Sequence, residues 1–174
     1  MMTAKEAFQQ ITKGGGDDFS KVISICEQIG DYCLVGGLAV NCYVEPVYTL
    51  DADLVVHSKQ LNPLRKLLEK EGFKTDDHRQ TLNAQTPGSD LRIQFTKDIQ
   101  YQDFVSRAEI KEVFGIKVKV ACLQDLVQGK IWAWTDKQRR LSKRQKDQAD
   151  LIRIAESYPE IRKILPAELQ KLFQ

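Results

Sequence analysis

Two neighbouring segments constrain this chain most. Tyr32-Cys33-Leu34-Val35 runs into Gly36-Gly37, and Thr49-Leu50-Asp51-Ala52-Asp53-Leu54-Val55-Val56 follows shortly after. Successive side chains of a strand point to opposite faces. Leu50, Ala52, Leu54 and Val56 therefore share one apolar side, and Thr49, Asp51 and Asp53 share the other. Two carboxylates a few ångströms apart repel, and one of them tends to hold its proton. Mg²⁺ or Mn²⁺ removes the conflict, because such a cation takes oxygen ligands, commonly one or two carboxylates plus substrate phosphates. A DxD strand alone is more often simply a solvated sheet face or strand edge. The strand, Gly-Gly turn and short helix before it shift the balance, since backbone amides there form an anion site beside the metal.

The rest of the chain reads as strands mixed with helices, followed by helices alone. Helices are expected over residues 3–12 and 17–30, the second carrying Phe19, Val22, Ile23, Ile25, Cys26 and Ile29 at helical spacing with Gly30 as its stop. Gly14-Gly15-Gly16 between them reads as a flexible joint, because no Lys-Ser/Thr follows as in a P-loop. A strand at 32–35, a brief helix at 38–43 and a strand at 49–57 lead to an amphipathic helix marked by Leu61, Leu64, Leu67 and Leu68. Extended pieces at 73–75 and 80–84, a strand at 91–95, a helix around 101–108 and a strand at 116–121 come next. Helices over 123–134 and 142–157 and short segments at 161–165 and 166–173 finish the chain. This order predicts an α+β (α/β) fold: a small mixed sheet with flanking helices and a helical C-terminal subregion. With 174 residues the chain suffices for one compact domain and is marginal for two. The expectation is one domain over 1–174, with a sheet-containing core at 1–121 and C-terminal helices at 122–174.

Composition narrows the class. The hydrophobic and charged fractions, 42% and 29%, are those of an ordinary globular protein. No apolar run approaches the ~20 residues that cross a bilayer, and the first residues lack the apolar stretch of a secretory signal. A cytoplasmic protein with no membrane partner is expected. Cys26, Cys33, Cys42 and Cys122 form no CxxC pair and read as buried thiols. A net charge of +2 does not mark a nucleic-acid binder. Its distribution is uneven, because Lys137, Arg139, Arg140, Lys143, Arg144 and Lys146 crowd one segment. That segment is either a solvated face or a landing site for RNA or a triphosphate tail.

In the first C-terminal helix Lys130 falls within the apolar stripe Leu123, Leu126, Val127, Ile131 and Trp134. A lysine there needs a carboxylate or a phosphate, or else snorkels to solvent. Asp147 and Asp150 share a face with Leu151 and Ile154. They read as caps, or as partners of Lys130, Lys143 or Arg153. Trp134 belongs to the core stripe, and His57 and His78 have no catalytic spacing.

The segment from Gly36 to Val56 resembles the first motif of the polymerase-β-type nucleotidyltransferase superfamily, in which a Gly-Gly or Gly-Ser turn precedes a DxD strand. Within it the chain is similar to AbiEii-type and related minimal nucleotidyltransferases, some of them toxins of bacterial toxin–antitoxin pairs. The likeness runs from about Tyr32 to Tyr158. It implies that Gly36 and Gly37 contact nucleotide phosphates and that Asp51 and Asp53 bind the metal. It also implies a phosphate contact at Lys130 and a positioning role for Asp150 in the stretch Lys146-Asp147-Gln148-Ala149-Asp150. The activity implied is metal-dependent transfer of a nucleoside monophosphate from NTP to a hydroxyl of RNA, protein or a small molecule, with an antitoxin as partner in the toxin case.

One position departs from that pattern. The superfamily places a third carboxylate on a later strand, and in Asp90-Leu91-Arg92-Ile93-Gln94-Phe95 it falls on Gln94. An amide can ligate a metal or contact nucleotide through its oxygen, but it cannot act as a base near neutral pH. Asp90 faces the same way but lies about 13 Å off at ~3.3 Å per residue. Arg92 shares the face and could contact phosphates or pair with the aspartates. Catalysis is therefore in question more than nucleotide binding, and the competing expectation is a catalytically reduced protein that binds nucleotide, RNA or a protein partner without turnover.

Overall fold

The computed structural model describes residues 1–174. Its sheet contains β1 (Tyr32–Val35), β2 (Asp51–Val56), β3 (Lys74–Asp77), β4 (Thr81–Gln85), β5 (Arg92–Thr96), β6 (Glu109–Val113) and β7 (Ile116–Val120). The spatial order is β3-β4-β5-β2-β1-β7-β6. β2 pairs parallel with β5 and β1 parallel with β7, and every other pair is antiparallel, so the sheet is mixed as expected. The helices are α1 (Ala4–Ile11), α2 (Gly15–Ile29), α3 (Gly36–Val40), α4 (Leu61–Lys70), α5 (Leu123–Thr135), α6 (Leu141–Ser157) and α7 (Ala167–Gln170).

Period-two alternation sorts the sheet. Ala52, Leu54, Leu82, Ala84, Ile93 and Phe95 point to one face, where they join Phe19 and Val22 of α2 and Leu64 and Leu68 of α4 in the main core. The opposite face of β2, β4 and β5 carries Asp51, Asp53, Thr81, Asn83, Arg92, Gln94 and Thr96. A second core forms where Val40 of α3, Val127 of α5 and Leu151 and Ile154 of α6 meet Ile161, Leu165 and Leu169. It holds α5 and α6 over the polar face, leaving a cavity between helices and sheet. No helix is long and apolar enough to cross a membrane.

Several local expectations are corrected. Gly15 and Gly16 are no joint: they open α2, and a Cβ at Gly15 would fall 2.4 Å from Thr12 Oγ1, so the turn is packed tightly against the end of α1. Gln9 accepts the Asp17 amide and donates to its carboxylate, fixing that corner. The segment Ile99–Arg107 is 3₁₀ rather than α-helical. β6 was not expected at all. It pairs with β7 across Phe114 and Gly115, both at positive φ (50° and 82°), the conformation of a tight hairpin turn. The helix expected at 38–43 begins instead at Gly36 and ends at Val40.

The four cysteines are free, with Cys26 and Cys33 buried and Cys42 and Cys122 partly so. Burial pushes each of the four thiols up, leaving them protonated at neutral pH.

Candidate functional site

The parallel pairing of β2 with β5 sets Asp51 beside Arg92 and Asp53 beside Gln94. The strand expected to carry the third carboxylate thus lies next to the DxD strand, and the amide stands at the position adjoining Asp53. Asp51, Asp53 and Gln94 open into a cavity of about 470 Å³ that α5 and α6 roof over. Gly36, Asp51, Asp53 and Gln94 line its sheet side; Lys130, Arg139, Arg140 and Lys143 line its helix side. Tyr101, Phe104 and Leu126 supply an apolar wall.

The two aspartates differ in what holds them. Asp51 accepts from Arg92 Nε at 2.7 Å through Oδ1 and from Lys143 Nζ at 3.0 Å through Oδ2. Burial pushes its carboxyl up, and the two cations outweigh burial to hold it below the usual carboxylate range. Asp53 has no hydrogen-bonding or ion-pair partner. Burial and then the charge of Asp51 push its carboxyl up to about 6, against the opposing pull of Lys130, Arg139 and Lys143. Gly36 accounts for its placement: at φ 71° a side chain is strained, and a Cβ there would fall 2.3 Å from Asp53 Oδ2. Gly37 has no such constraint, since its added Cβ would meet only Thr49 at ordinary contact distance.

Lys130 is occupied. Its Nζ lies 2.9 Å from Asp147 Oδ1 and 2.8 Å from Asp150 Oδ2. Burial alone would lower its pKa, but Asp150 and Asp147 reverse the effect and keep the ammonium charged. Arg139 Nε bonds Asp147 at 2.8 Å and Arg153 bonds Asp150 at 2.7 Å, so each buried carboxylate is flanked by two cations.

Oxygen donors fit a hard divalent cation here. Asp53 presents an open carboxylate, Asp51 stands two residues away on the same face, and Gln94 adds an amide oxygen. No group of three His, Cys, Asp or Glu side chains forms a metal cluster. Two carboxylates therefore have to be completed by phosphate or water oxygens, which is a common arrangement for Mg²⁺.

No family model matches the sequence, and no curated protein matches it either. Solved structures do. ANT(2'')-Ia in complex with adenylyl-2''-tobramycin superposes with a TM-score of 0.58 at 13% identity, covering 91% of this chain and 98% of that one. The lincomycin-bound lincosamide antibiotic adenylyltransferase LnuA gives 0.55 at 11% identity, over 79% and 96%. An antigenic nucleotidyltransferase-like protein from Paracoccidioides brasiliensis gives 0.54 at 20% identity, over 80% and 76%. The fold is that of nucleotidyltransferases.

On this nucleotidyltransferase fold Gly36, Asp51, Asp53, Gln94 and Lys130 converge on one cavity, as the sequence suggested. Three expected residues do not line it. Gly37 lies outside, Arg92 stands on the same sheet face with its guanidinium held on Asp51, and Asp150 lies behind Lys130. Of the partners the sequence offers for Asp147 and Asp150, Lys130 and Arg153 pair with them and Lys143 does not, because it lies on Asp51; Arg139 and Arg140 of the same basic stretch take separate places on the cavity wall. Lys143 shares a helical face with Asp147 and Asp150 by the i+4 and i+7 spacing, but that local relation carries no signal of its contact with Asp51. Tyr101 and Phe104 carried none, because their 3₁₀ segment has no regular apolar period. Trp132 stacks on Phe104 at 5.7 Å and meets Tyr101 edge-on at 5.4 Å, so it braces the apolar wall. Trp134 packs on the second core and donates Nε1 to Gln148.

Proposed function

We propose that the chain is a metal-dependent nucleotidyltransferase that transfers a nucleoside monophosphate from NTP to a hydroxyl of RNA, a protein or a small molecule. The observation that carries this reading is the open carboxylate of Asp53, set against Gly36 and facing a cationic wall across one cavity. Asp51 and Asp53 would hold Mg²⁺ or Mn²⁺, with the Gln94 amide oxygen adjoining. The bound cation would neutralise charge on the α-phosphate and orient the acceptor oxygen. The acceptor oxygen bonds to the α-phosphorus, the bond to pyrophosphate breaks, and the hydroxyl proton passes to solvent. Lys143, Arg140 and Arg139 would face the phosphates, Gly36 would bring backbone close to them, and the apolar wall of Tyr101, Phe104 and Leu126 suits a base or sugar face. Lys130 acts through the wall, holding α6 by Asp147 and Asp150, which makes Asp150 a positioning residue. Positioning and charge neutralisation supply much of such catalysis, so Gln94 in place of a base lowers the rate without abolishing it.

The antibiotic-adenylylating neighbours support a small-molecule acceptor. The AbiEii-type resemblance supports a cytoplasmic toxin–antitoxin component with an antitoxin partner. Incubation with labelled NTPs, Mg²⁺ and cell extract tests the common core of these readings. Labelled product that disappears in Asp51→Ala is expected. No product from the wild type, or equal product from the variant, sinks it.

Gln94 favours a second reading, a catalytically reduced protein that binds nucleotide, RNA or a protein partner without turnover. Calorimetry with NTP and Mg²⁺ distinguishes the two, since binding without transfer belongs to the second.

A further inference from the structure

Resting on the nucleotidyltransferase reading, we propose that Lys143 and Arg92 are exchangeable counter-ions: they pair with Asp51 before ligands bind and move to phosphate oxygens when metal and nucleoside triphosphate enter together. Each oxygen of Asp51 already carries one cation, Arg92 on Oδ1 at 2.7 Å and Lys143 on Oδ2 at 3.0 Å. Their side chains come from different elements, β5 and α6, and keep 51% and 33% of their exposure, so both can swing away without unpacking the core. Lys130 differs in this respect, being buried and saturated by two carboxylates.

The charges dictate how ligands enter. A divalent cation arriving alone meets Asp51 already neutralised, and must approach two positive groups to reach it. A triphosphate arriving alone brings several negative charges toward Asp51 and Asp53 and finds Lys143 and Arg92 already held on Asp51. When both arrive, the cation takes Asp51 and Asp53, while the phosphates take Lys143 and Arg92 together with Arg140, which lines the same wall. Every group that loses a partner gains another of the same sign. Lys143 thus couples the two ligands, weakening the metal alone and strengthening the metal–triphosphate pair. Coupling of this kind is reciprocal.

The prediction is a change of opposite sign at one residue. Free Mn²⁺ followed by its paramagnetic resonance signal gives the affinity for metal alone. Equilibrium dialysis with an equimolar mixture of labelled NTPs at saturating Mn²⁺ gives the affinity for the pair. Lys143→Met should bind Mn²⁺ alone about fivefold more tightly and NTP with Mn²⁺ about fivefold more weakly, as expected for one partly exposed charge. Arg92→Met, a second variant at a more exposed position, should shift Mn²⁺ alone in the same direction. Nucleotide binding that persists while neither variant tightens Mn²⁺ alone overturns the exchange and leaves the functional reading standing. Absence of Mn²⁺ and nucleotide binding in the wild type and both variants overturns the functional reading and the exchange with it.

Discussion

The carboxylate of Asp53 lies directly against the backbone of Gly36, so close that a Cβ on that glycine would fall 2.3 Å from Oδ2. The Gly-Gly turn and the DxD strand are thus one packed unit rather than two motifs that happen to be near in sequence. The antiparallel pairing of β1 with β2, which sets Val35 opposite Asp53, brings the turn over the carboxylate. The same contact leaves Asp53 without a donor, and burial beside Asp51 keeps its carboxyl at about 6.

Asp53→Asn should therefore stabilise the ligand-free protein in a pH-dependent way. The folded-state value of about 6 stands above the ordinary 3.8, so folding favours the protonated acid. Stability is undiminished below the ordinary value and is lost as pH rises through about 6. The variant, which cannot ionise and forfeits no hydrogen bond, escapes that loss. Its advantage should be on the order of 1–3 kcal/mol above pH ~7, a few degrees in Tm, and should fade toward pH ~4. Thermal melts from pH 4 to 8 without metal check this. A gain independent of pH would show that like-charge strain at Asp53 is not the cause.

The Lys130 network makes a second claim, that this lysine holds α5 to α6. Lys130→Met leaves Asp147 and Asp150 each with one cation, and should cost about 3–5 kcal/mol in denaturant unfolding. Lys130→Met combined with Asp150→Asn should cost less than the sum of the singles, with a coupling of about 1–3 kcal/mol. A purely phosphate-binding lysine predicts the opposite pattern: near-normal stability, loss of nucleotide binding and no coupling to Asp150.

What was legible in the sequence followed from regular periods. The alternation of Asp51 to Val56 carries both the face of the carboxylates and the buried face beneath them, whereas Gln94 is singled out by the superfamily resemblance rather than by any period, and only the β2–β5 register sets it beside Asp53. What was not legible depended on chain segments far apart in sequence. Lys143 reaches Asp51 only because the second core fixes α6 above β2, and no local pattern carries that information. Arg92 was ambiguous between phosphate and aspartate for the same reason, since its choice depends on which groups the tertiary fold brings within reach. β6 was missed because Glu109-Ile110-Lys111-Glu112-Val113 is a mostly exposed edge strand whose hairpin turn lacks the usual Asn-Gly signal.

Gln94 stands where the resemblance to the superfamily motif leads one to expect a carboxylate, and introducing one separates binding from turnover. Gln94→Asp places a third negative charge beside Asp53 in the adjacent strand register. Without metal the added repulsion should lower Tm by several degrees, corresponding to about 1–2 kcal/mol. With saturating Mg²⁺ the extra oxygen ligand should reverse the deficit, so the metal-induced rise in Tm exceeds that of the wild type. If the amide limits chemistry, label transfer from NTP should also rise, by about 10²-fold for a regained general base. A variant that Mg²⁺ does not rescue would show that the metal sits away from β5. A variant that Mg²⁺ rescues without faster transfer would show that the native amide already completes the site and that the rate is set elsewhere, at the counter-ions of Asp51 or at the acceptor.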